Sequence, residues 1–272
     1  MISHPGSKIR GGGVVALRVC VLASGSSGNC IYVGGNDTHV LIDAGISCKA
    51  TTERLAALGV DRIDAVCVTH AHEDHKSSLG PLQRRLNAGL YANSETVAEL
   101  EKHAKSTGLS WQRFVTGNAF PIGSLKVDTF SVPHDCKEPV GYLITEGERK
   151  VGIVTDLGAP TELIRQRLKP CQVIVLEANH DVDMLRDSDR PWPLKQRIAS
   201  RHGHLSNHAA GELLCEVAGP HLHTVFLAHL SRDCNRPTLA LHTVSEALRK
   251  KGLSHVTLRM TYPDHASDVV DV

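Results

Sequence analysis

The chain has 272 residues, 41% hydrophobic and 22% charged, a composition that can bury a full core and excludes an intrinsically disordered protein. Its formal net charge of +1 neither requires nor forbids a nucleic-acid partner, so any basic surface must be local. Eight cysteines (Cys20, Cys30, Cys48, Cys67, Cys136, Cys171, Cys215, Cys234) stand singly with no CxxC pair, which predicts reduced thiols in a cytoplasmic protein. No apolar run approaches the ~20 residues that span a bilayer.

Met1–Gly13 reads as a floppy leader, because Arg18 interrupts the apolar run that would otherwise mimic a signal peptide, and one domain is expected over residues 14–272. Strands are expected at Leu17–Ala23, Cys30–Val33 and His39–Ile42, then a helix near Lys49–Leu58 and a strand at Ala65–Val68. Pro81–Ala88 and Glu95–Lys105 have helical spacing, while Ser124–Val132, Val140–Thr145 and Lys150–Thr155 return to strand composition. Next come a helix at Thr161–Leu168, a strand at Gln172–Glu177 and a polar segment with short helices through Arg201. The chain closes with a helix at Asn207–Val217, a strand at Thr224–Ala228, a helix at Thr238–Lys251 and a strand at His255–Met260. Ser206 and Thr161 are placed to cap the helices that follow them. Two runs of strands, each followed by helices, predict two stacked sheets with helices outside.

Val68–Gly80 reads VTHAHEDHKSSLG and crowds three histidines and two acids into His70–His75. After a strand, a His-x-His pair turns both imidazoles the same way, which suits two ligands on one metal ion. Asp74 and His75 follow in a turn or first helical turn and face a second position, unlike the H-E-x-x-H helix of zinc proteases. One segment cannot complete two coordination spheres, but His134, Asp156 and His229 end other strands in the same topological position. Each of the three, taken singly, could equally be a capping or turn residue.

These residues resemble the metallo-β-lactamase fold superfamily, whose H-x-H-x-D-H signature is intact at His70–His75. The segments ASGSSGN, LIDAGIS, VPHD, EPVGY, TDLG, LEANHD, GHLSN and LAHLS, in that order, resemble the YycJ/WalJ subgroup, regarded as bacterial DNA exonucleases; the likeness spans Arg18–Arg259. It implies an α/β four-layer αββα sandwich and two divalent metal ions, zinc or manganese. By the same resemblance His70, His72 and His134 hold the first ion, Asp74, His75 and His229 the second, and Asp156 bridges them. Asp43 is implied to sit behind the site and orient a ligand. Class B1 lactamases carry a cysteine where Asp156 stands, and flavin-linked di-iron proteins a glutamate where His72 stands; neither replacement occurs here. Only about 70 residues separate Asp156 from His229, too few for the inserted domain of the β-CASP nucleases.

Two ions about 3.5–4 Å apart can share a hydroxide and hold both oxygens of an in-line displacement at phosphorus. A leaving 3′-oxygen needs a proton, and in HGHLSNHAA the expected donor is His204, because GHLSN takes the place of the histidine motif of related tRNA-processing nucleases. With Asp74 and Asp43 it completes the expected catalytic set; the plain alternative is three surface histidines at a helix start. Ser26, Ser27 and Asn29 either contact phosphate or a metal-bound water or form a tight turn, and His180 and Asp181 either flank the site or cap a helix. Arg186, Arg190, Lys195, Arg197 and Arg201, with Arg232 and Arg236, make clusters able to track a DNA backbone. Trp192 and Tyr142 are the only aromatics near the motifs, which favours backbone recognition of duplex DNA over base stacking. The expected function is a two-metal 5′-to-3′ DNA exonuclease with a repair role and no membrane partner. Its rivals are a small-molecule hydrolase of thioester or cyclic phosphodiester type and a non-catalytic metal-binding partner protein. A structural zinc site needs four ligands and no bridging carboxylate, which weighs against the last.

Overall fold

A computed structural model describes residues 17–103 and 107–272; the expected leader lies outside the described residues. The first half comprises β1 (Arg18–Ala23), β2 (Cys30–Gly34), β3 (His39–Ile42), α1 (Cys48–Ala57), β4 (Ala65–Cys67), α2 (Glu73–Lys76), α3 (Leu79–Leu86), β5 (Gly89–Asn93), α4 (Ser94–Leu100) and β6 (Trp111–Phe114). A meander of β7 (Ala119–Ile122), β8 (Leu125–Ser131), β9 (Val140–Glu146) and β10 (Arg149–Val154) opens the second half. It continues through α5 (Glu162–Leu168), β11 (Val173–Glu177), α6 (Val182–Asp187), α7 (Trp192–Ile198), α8 (Asn207–Val217) and β12 (Thr224–Ala228). The chain ends with α9 (Pro237–Lys250), β13 (Thr257–Met260) and β14 (Val270–Asp271).

These strands form two seven-stranded sheets, ordered β14-β1-β2-β3-β4-β5-β6 and β13-β12-β11-β10-β9-β8-β7. Each sheet joins an antiparallel part to a parallel part: β3 to β6 run parallel in one, and β10 to β13 in the other. Their sequences explain the difference. VIVLE in β11 and TVFLA in β12 are buried at every residue, as strands covered on both faces must be, whereas β8 alternates between buried and exposed positions at its start.

Three apolar clusters confirm a four-layer α/β sandwich. One lies between the sheets, including Val19, Ile31, Val127, Tyr142, Val175 and Phe226. A second lies under α5, α8 and α9, and a third under α1, α3 and α4. Thr161 and Ser206 cap α5 and α8 by accepting from Ile164 N–H and Ala209 N–H, as read from sequence. Strands β5, β6, β7 and β14 are not anticipated by the pattern, while Asp74 and His75 lie on the one-turn helix α2, the second of the two conformations expected for them. β6 and β7 are edge strands with mostly exposed or half-buried side chains, and β14 has two residues, so none carries an apolar run.

One polar bond crosses the apolar middle. The Tyr142 hydroxyl on β9 donates to the Val68 carbonyl at 2.6 Å, both groups being buried, and so ties the second sheet to the segment leading into His70. Tyr142→Phe would strand that carbonyl in the core and should cost about 1–3 kcal/mol of stability. The denaturant midpoint measures this; an unchanged midpoint would show that the bond contributes nothing.

Candidate metal centre

The carboxyl ends of strands from both sheets meet at one edge, the usual place for a site in α/β sheets. Asp43 follows β3, His70 follows β4, Asp74 and His75 lie on α2, His134 follows β8, Asp156 follows β10, and His229 follows β12. Three of them leave their strands with left-handed backbone: Asp43 at φ 64°, Asp156 at 53° and His229 at 55°. Non-glycine residues hold such angles at a cost of about 1–3 kcal/mol each, so the surrounding contacts must enforce them. His70 and His72 occupy a bent segment between β4 and α2 rather than an extended strand, yet their rings still converge.

Ring nitrogens face one another across the site. His70 Nε2 lies 3.0 Å from His72 Nδ1, which lies 3.3 Å from His134 Nε2. His75 Nε2 lies 3.0 Å from Asp156 Oδ2 and 3.4 Å from Asp74 Oδ2, and His229 Nε2 lies 3.2 Å from Asp74 Oδ2. Asp156 stands between the two groups: Oδ1 is 3.8 Å from His134 Nε2, and the buried Oδ2 has no aligned hydrogen bond. All seven side chains singled out as ligands are thus brought together.

Outer acceptors fix how these imidazoles are oriented. His75 Nδ1–H donates to Asp43 at 2.7 Å, His134 Nδ1–H to the Gly203 carbonyl at 3.0 Å, and His229 Nδ1–H to Glu177 at 2.9 Å. The Thr69 hydroxyl donates its one hydrogen to Asp43, so at 2.9 Å it accepts from His70 Nδ1–H. Each of the four therefore presents Nε2 to the interior, the arrangement a cation requires of its imidazole ligands. Asp43 lies behind His75.

The charge balance points the same way. Asp43, Asp74, Asp156 and Glu177 meet no Lys or Arg among the described residues, and their only charge partners are histidines. Burial alone would depress His75 and His229, but Asp43 and Asp156 raise the first, and Asp156, Asp74 and Glu177 raise the second, well above the usual range. Burial likewise works against ionisation of Asp74 and Asp156, yet the facing histidines hold both far below ordinary carboxylates. Buried carboxylates in this number need positive charge at their centre, and divalent cations fit this set of nitrogen and oxygen donors.

Glu177, the last residue of β11, was missed by sequence reading. Its carboxylate is fully buried and accepts four hydrogen bonds: from His204 Nδ1 at 2.7 Å, His229 Nδ1 at 2.9 Å, Leu157 N–H at 2.7 Å and Leu205 N–H at 3.1 Å. Burial opposes ionisation, but His204 and then His229 lower its pKa to about 2. The signal was available: an acid ending an apolar strand, the criterion that picked out His134, Asp156 and His229. His204 is brought to the site by this carboxylate, while its Nε2 makes no hydrogen bond among the described residues. His202 and His208 are not part of that contact, and His208 faces Glu212.

Glycines let the first loop close onto the cluster. A Cβ on Gly45 would fall 1.7 Å from the Asp74 carbonyl oxygen, and one on Gly28 would fall 2.4 Å from the Gly45 carbonyl oxygen. In the space so kept, Asn29 donates to Asp74 Oδ2 at 3.1 Å and accepts from the Ser24 hydroxyl at 3.2 Å, while Ser24 Oγ accepts from His229 N–H at 2.7 Å. Ser26 and Ser27 are exposed, and Ser27 accepts from Arg232. Asp181 caps α6, and His180 is buried beside His204 in a cavity wall. Of the basic clusters, Arg186, Arg190 and Arg197 pair with acids (Asp183 and Asp187, Asp233, and Asp135), which leaves Lys195, Arg201, Arg232 and Arg236 without a carboxylate among the described residues.

All four partners of Glu177 are donors, so no orientation of an amide satisfies them. In Glu177→Gln the NH2 group should face His229 and His204 and force their protons onto Nε2, with a stability loss of about 1–3 kcal/mol. Imidazole 15N shifts and the denaturant midpoint test this; Nδ1 protonation retained at an unchanged midpoint would refute it.

Comparison with known proteins agrees with this geometry. The family model described as Beta-lactamase superfamily domain matches residues 38–229. The chain is 37% identical over 242 residues to Exodeoxyribonuclease YycJ of Bacillus anthracis, covering 88% of this chain and 91% of that one. To Exodeoxyribonuclease WalJ of Streptococcus pneumoniae serotype 2 it is 32% identical over 266 residues, covering 95% and 99%. The metallo-β-lactamase fold protein YhfI of Bacillus subtilis superposes with a TM-score of 0.72 at 15% identity, over 95% of this chain and all of that one, a likeness of fold. This chain, a metal-dependent hydrolase, belongs to the β-lactamase superfamily as a YycJ/WalJ-like protein of the metallo-β-lactamase fold.

Proposed function

We propose that the chain is a two-metal phosphodiesterase that degrades DNA from its ends, 5′-to-3′, in DNA repair, with residues 14–272 acting as one hydrolase unit. The observation that carries this reading is the convergence of five imidazoles and two carboxylates at one edge, with Asp156 3.0 Å from His75 on one side and 3.8 Å from His134 on the other. Relatives named as exodeoxyribonucleases, matched over nearly their whole length, support DNA as the substrate.

In this reading His70, His72 and His134 would hold one ion and Asp74, His75 and His229 the other, Asp156 would serve both, and the metal would be zinc or manganese. When bound, two divalent ions supply Lewis acidity at the phosphoryl oxygens and acidify a water molecule. The protein's own groups do the rest. Asp43 and Glu177 hold His75 and His229 in one tautomer, and Asn29 steadies Asp74. His204, held at Nδ1 by Glu177, gives a proton to the leaving 3′-oxygen from its other nitrogen. Arg201, Arg232 and Arg236 follow the phosphates of a duplex.

Two clefts flank the site and give a polymer room on either side. One of about 830 Å³ is lined by His72, Lys76, His134, Lys137 and His202, the other of about 450 Å³ by His180 and His204. A cytoplasmic location is part of the proposal, supported by eight free cysteines. No helix of the described residues is long and apolar enough to cross a membrane.

Purified protein loaded with manganese or zinc, incubated with 5′- and 3′-labelled single- and double-stranded DNA beside bis(p-nitrophenyl) phosphate, tests the reading. It should release labelled mononucleotide early from 5′-labelled duplex. Hydrolysis of the small ester alone would overturn the nuclease assignment in favour of a small-molecule hydrolase. His204→Ala should keep its metal and lose roughly 10²–10⁴-fold in turnover, whereas Asp156→Ala should lose metal as well. Full activity in the His204 variant would remove that residue from the mechanism.

A further inference from the structure

The cleft on the His204 side differs in character from the rest of the site. Its volume is about 450 Å³, within the range of small-molecule pockets, and α6 and α7 form one wall. Leu185 and Val182 line it from α6, and Trp192 stands at the start of α7 with 65% of its surface exposed. An exposed indole lining a cleft offers a flat apolar face on which a planar ring can stack. His180, which also lines the cleft, is only 3% exposed, and its buried Nδ1 has no hydrogen-bond partner. A buried polar atom left without a partner is costly, so a small turn of the ring that brings Nδ1 to a group bound in the cleft would be favoured.

The electrostatics select the kind of ligand. Arg186 at the rim is neutralised by Asp183 at 2.7 Å and Asp187 at 2.8 Å, and the Lys195 ammonium donates to the Arg186 carbonyl at 2.6 Å. Little cationic charge is left to hold a phosphate there. An indole face, aliphatic walls and one imidazole suit a flat, neutral heterocycle that carries hydrogen-bonding edge atoms.

Its place identifies the heterocycle. His204 lines this cleft and also reaches Glu177 and Asp156. If His204 protonates the leaving oxygen, the cleft lies on the side of the departing nucleotide. We propose that it seats the base of the terminal nucleotide, with Trp192 stacked on its face and His180 bonded to its edge. The proposal rests on the nuclease reading above. Tyr142, the other aromatic near the motifs, is fully buried and plays no part in stacking. The duplex is still tracked by its backbone, and only the frayed terminal base leaves the stack, as in enzymes that turn a base out of a helix. A single ring face and a single imidazole fix the plane of a base without naming it, so all four bases fit.

Two measurements on the full-length, metal-loaded protein test this. Thymidine 5′-monophosphate should quench tryptophan emission where deoxyribose 5-phosphate does not, and the difference should vanish in Trp192→Ala. Equal response to both ligands would overturn the proposal, whether or not DNA is cleaved. In the second, duplexes ending in thymidine or in an abasic residue at the 5′ end are compared by kcat/KM. The thymidine end should be favoured about tenfold, the scale of one base–aromatic stack. Trp192→Ala should erase that ratio and Trp192→Phe keep most of it; a ratio near one in the wild type, or one unchanged in Trp192→Ala, would refute the pocket. Base-specific quenching without any cleavage of DNA would uphold the pocket and sink the nuclease reading instead.

Discussion

Four carboxylates at one sheet edge, three of them buried and the fourth, Asp74, half-buried, with no lysine or arginine among the described residues to answer them, are the constraint on which the rest of this molecule depends. Asp43, Asp74, Asp156 and Glu177 can stay ionised there because imidazoles bring positive charge to them, and divalent cations held among those imidazoles would add to it. The second row of the site follows from that need. Thr69, Gly203, Asp43 and Glu177 occupy the outer nitrogens of His70, His134, His75 and His229, so the inner nitrogens have one orientation to offer. Such support is what turns a group of polar residues into a prearranged site.

Holding these groups together requires both sheets at once. His70, Asp74 and His75 belong to the first sheet and its loops, and His134, Asp156, Glu177 and His229 to the second. Besides the apolar layer between the sheets, two of the polar contacts that join the halves lie at the site itself: Ser24 of the first accepts from the His229 amide of the second, and Val140 donates to the Thr69 carbonyl at 3.1 Å. The left-handed turns at Asp43, Asp156 and His229 are affordable because the apolar layers beneath them are fully packed. The site therefore exists only once the sandwich has closed.

Much of this was legible in the sequence because the site uses strand ends, and strand ends are easy to read. His70–His75 announced itself by density, and His134, Asp156 and His229 by following apolar runs. The interior strands were found for the same reason, since VIVLE and TVFLA can hardly be anything else. What escaped was whatever lacks an apolar run or looks ordinary in one dimension. Strands β6 and β7 are edges open to solvent, and Glu177, a lone acid ending β11, has no histidine directly beside it in sequence to mark it as a buried acceptor of four bonds. The basic clusters show the opposite fault: proximity in sequence suggested free charge, but Arg186, Arg190 and Arg197 each have an acid within reach in space.

The central claim is that this edge holds two ions and that Asp156 belongs to both. Anomalous X-ray scattering from crystals of the zinc- or manganese-loaded protein, collected on either side of the metal absorption edge, tests it most directly. Two peaks about 3.5–4 Å apart are expected, one among His70, His72 and His134, the other among Asp74, His75 and His229, with Asp156 between them. A single peak, or a pair that does not touch Asp156, would contradict the account.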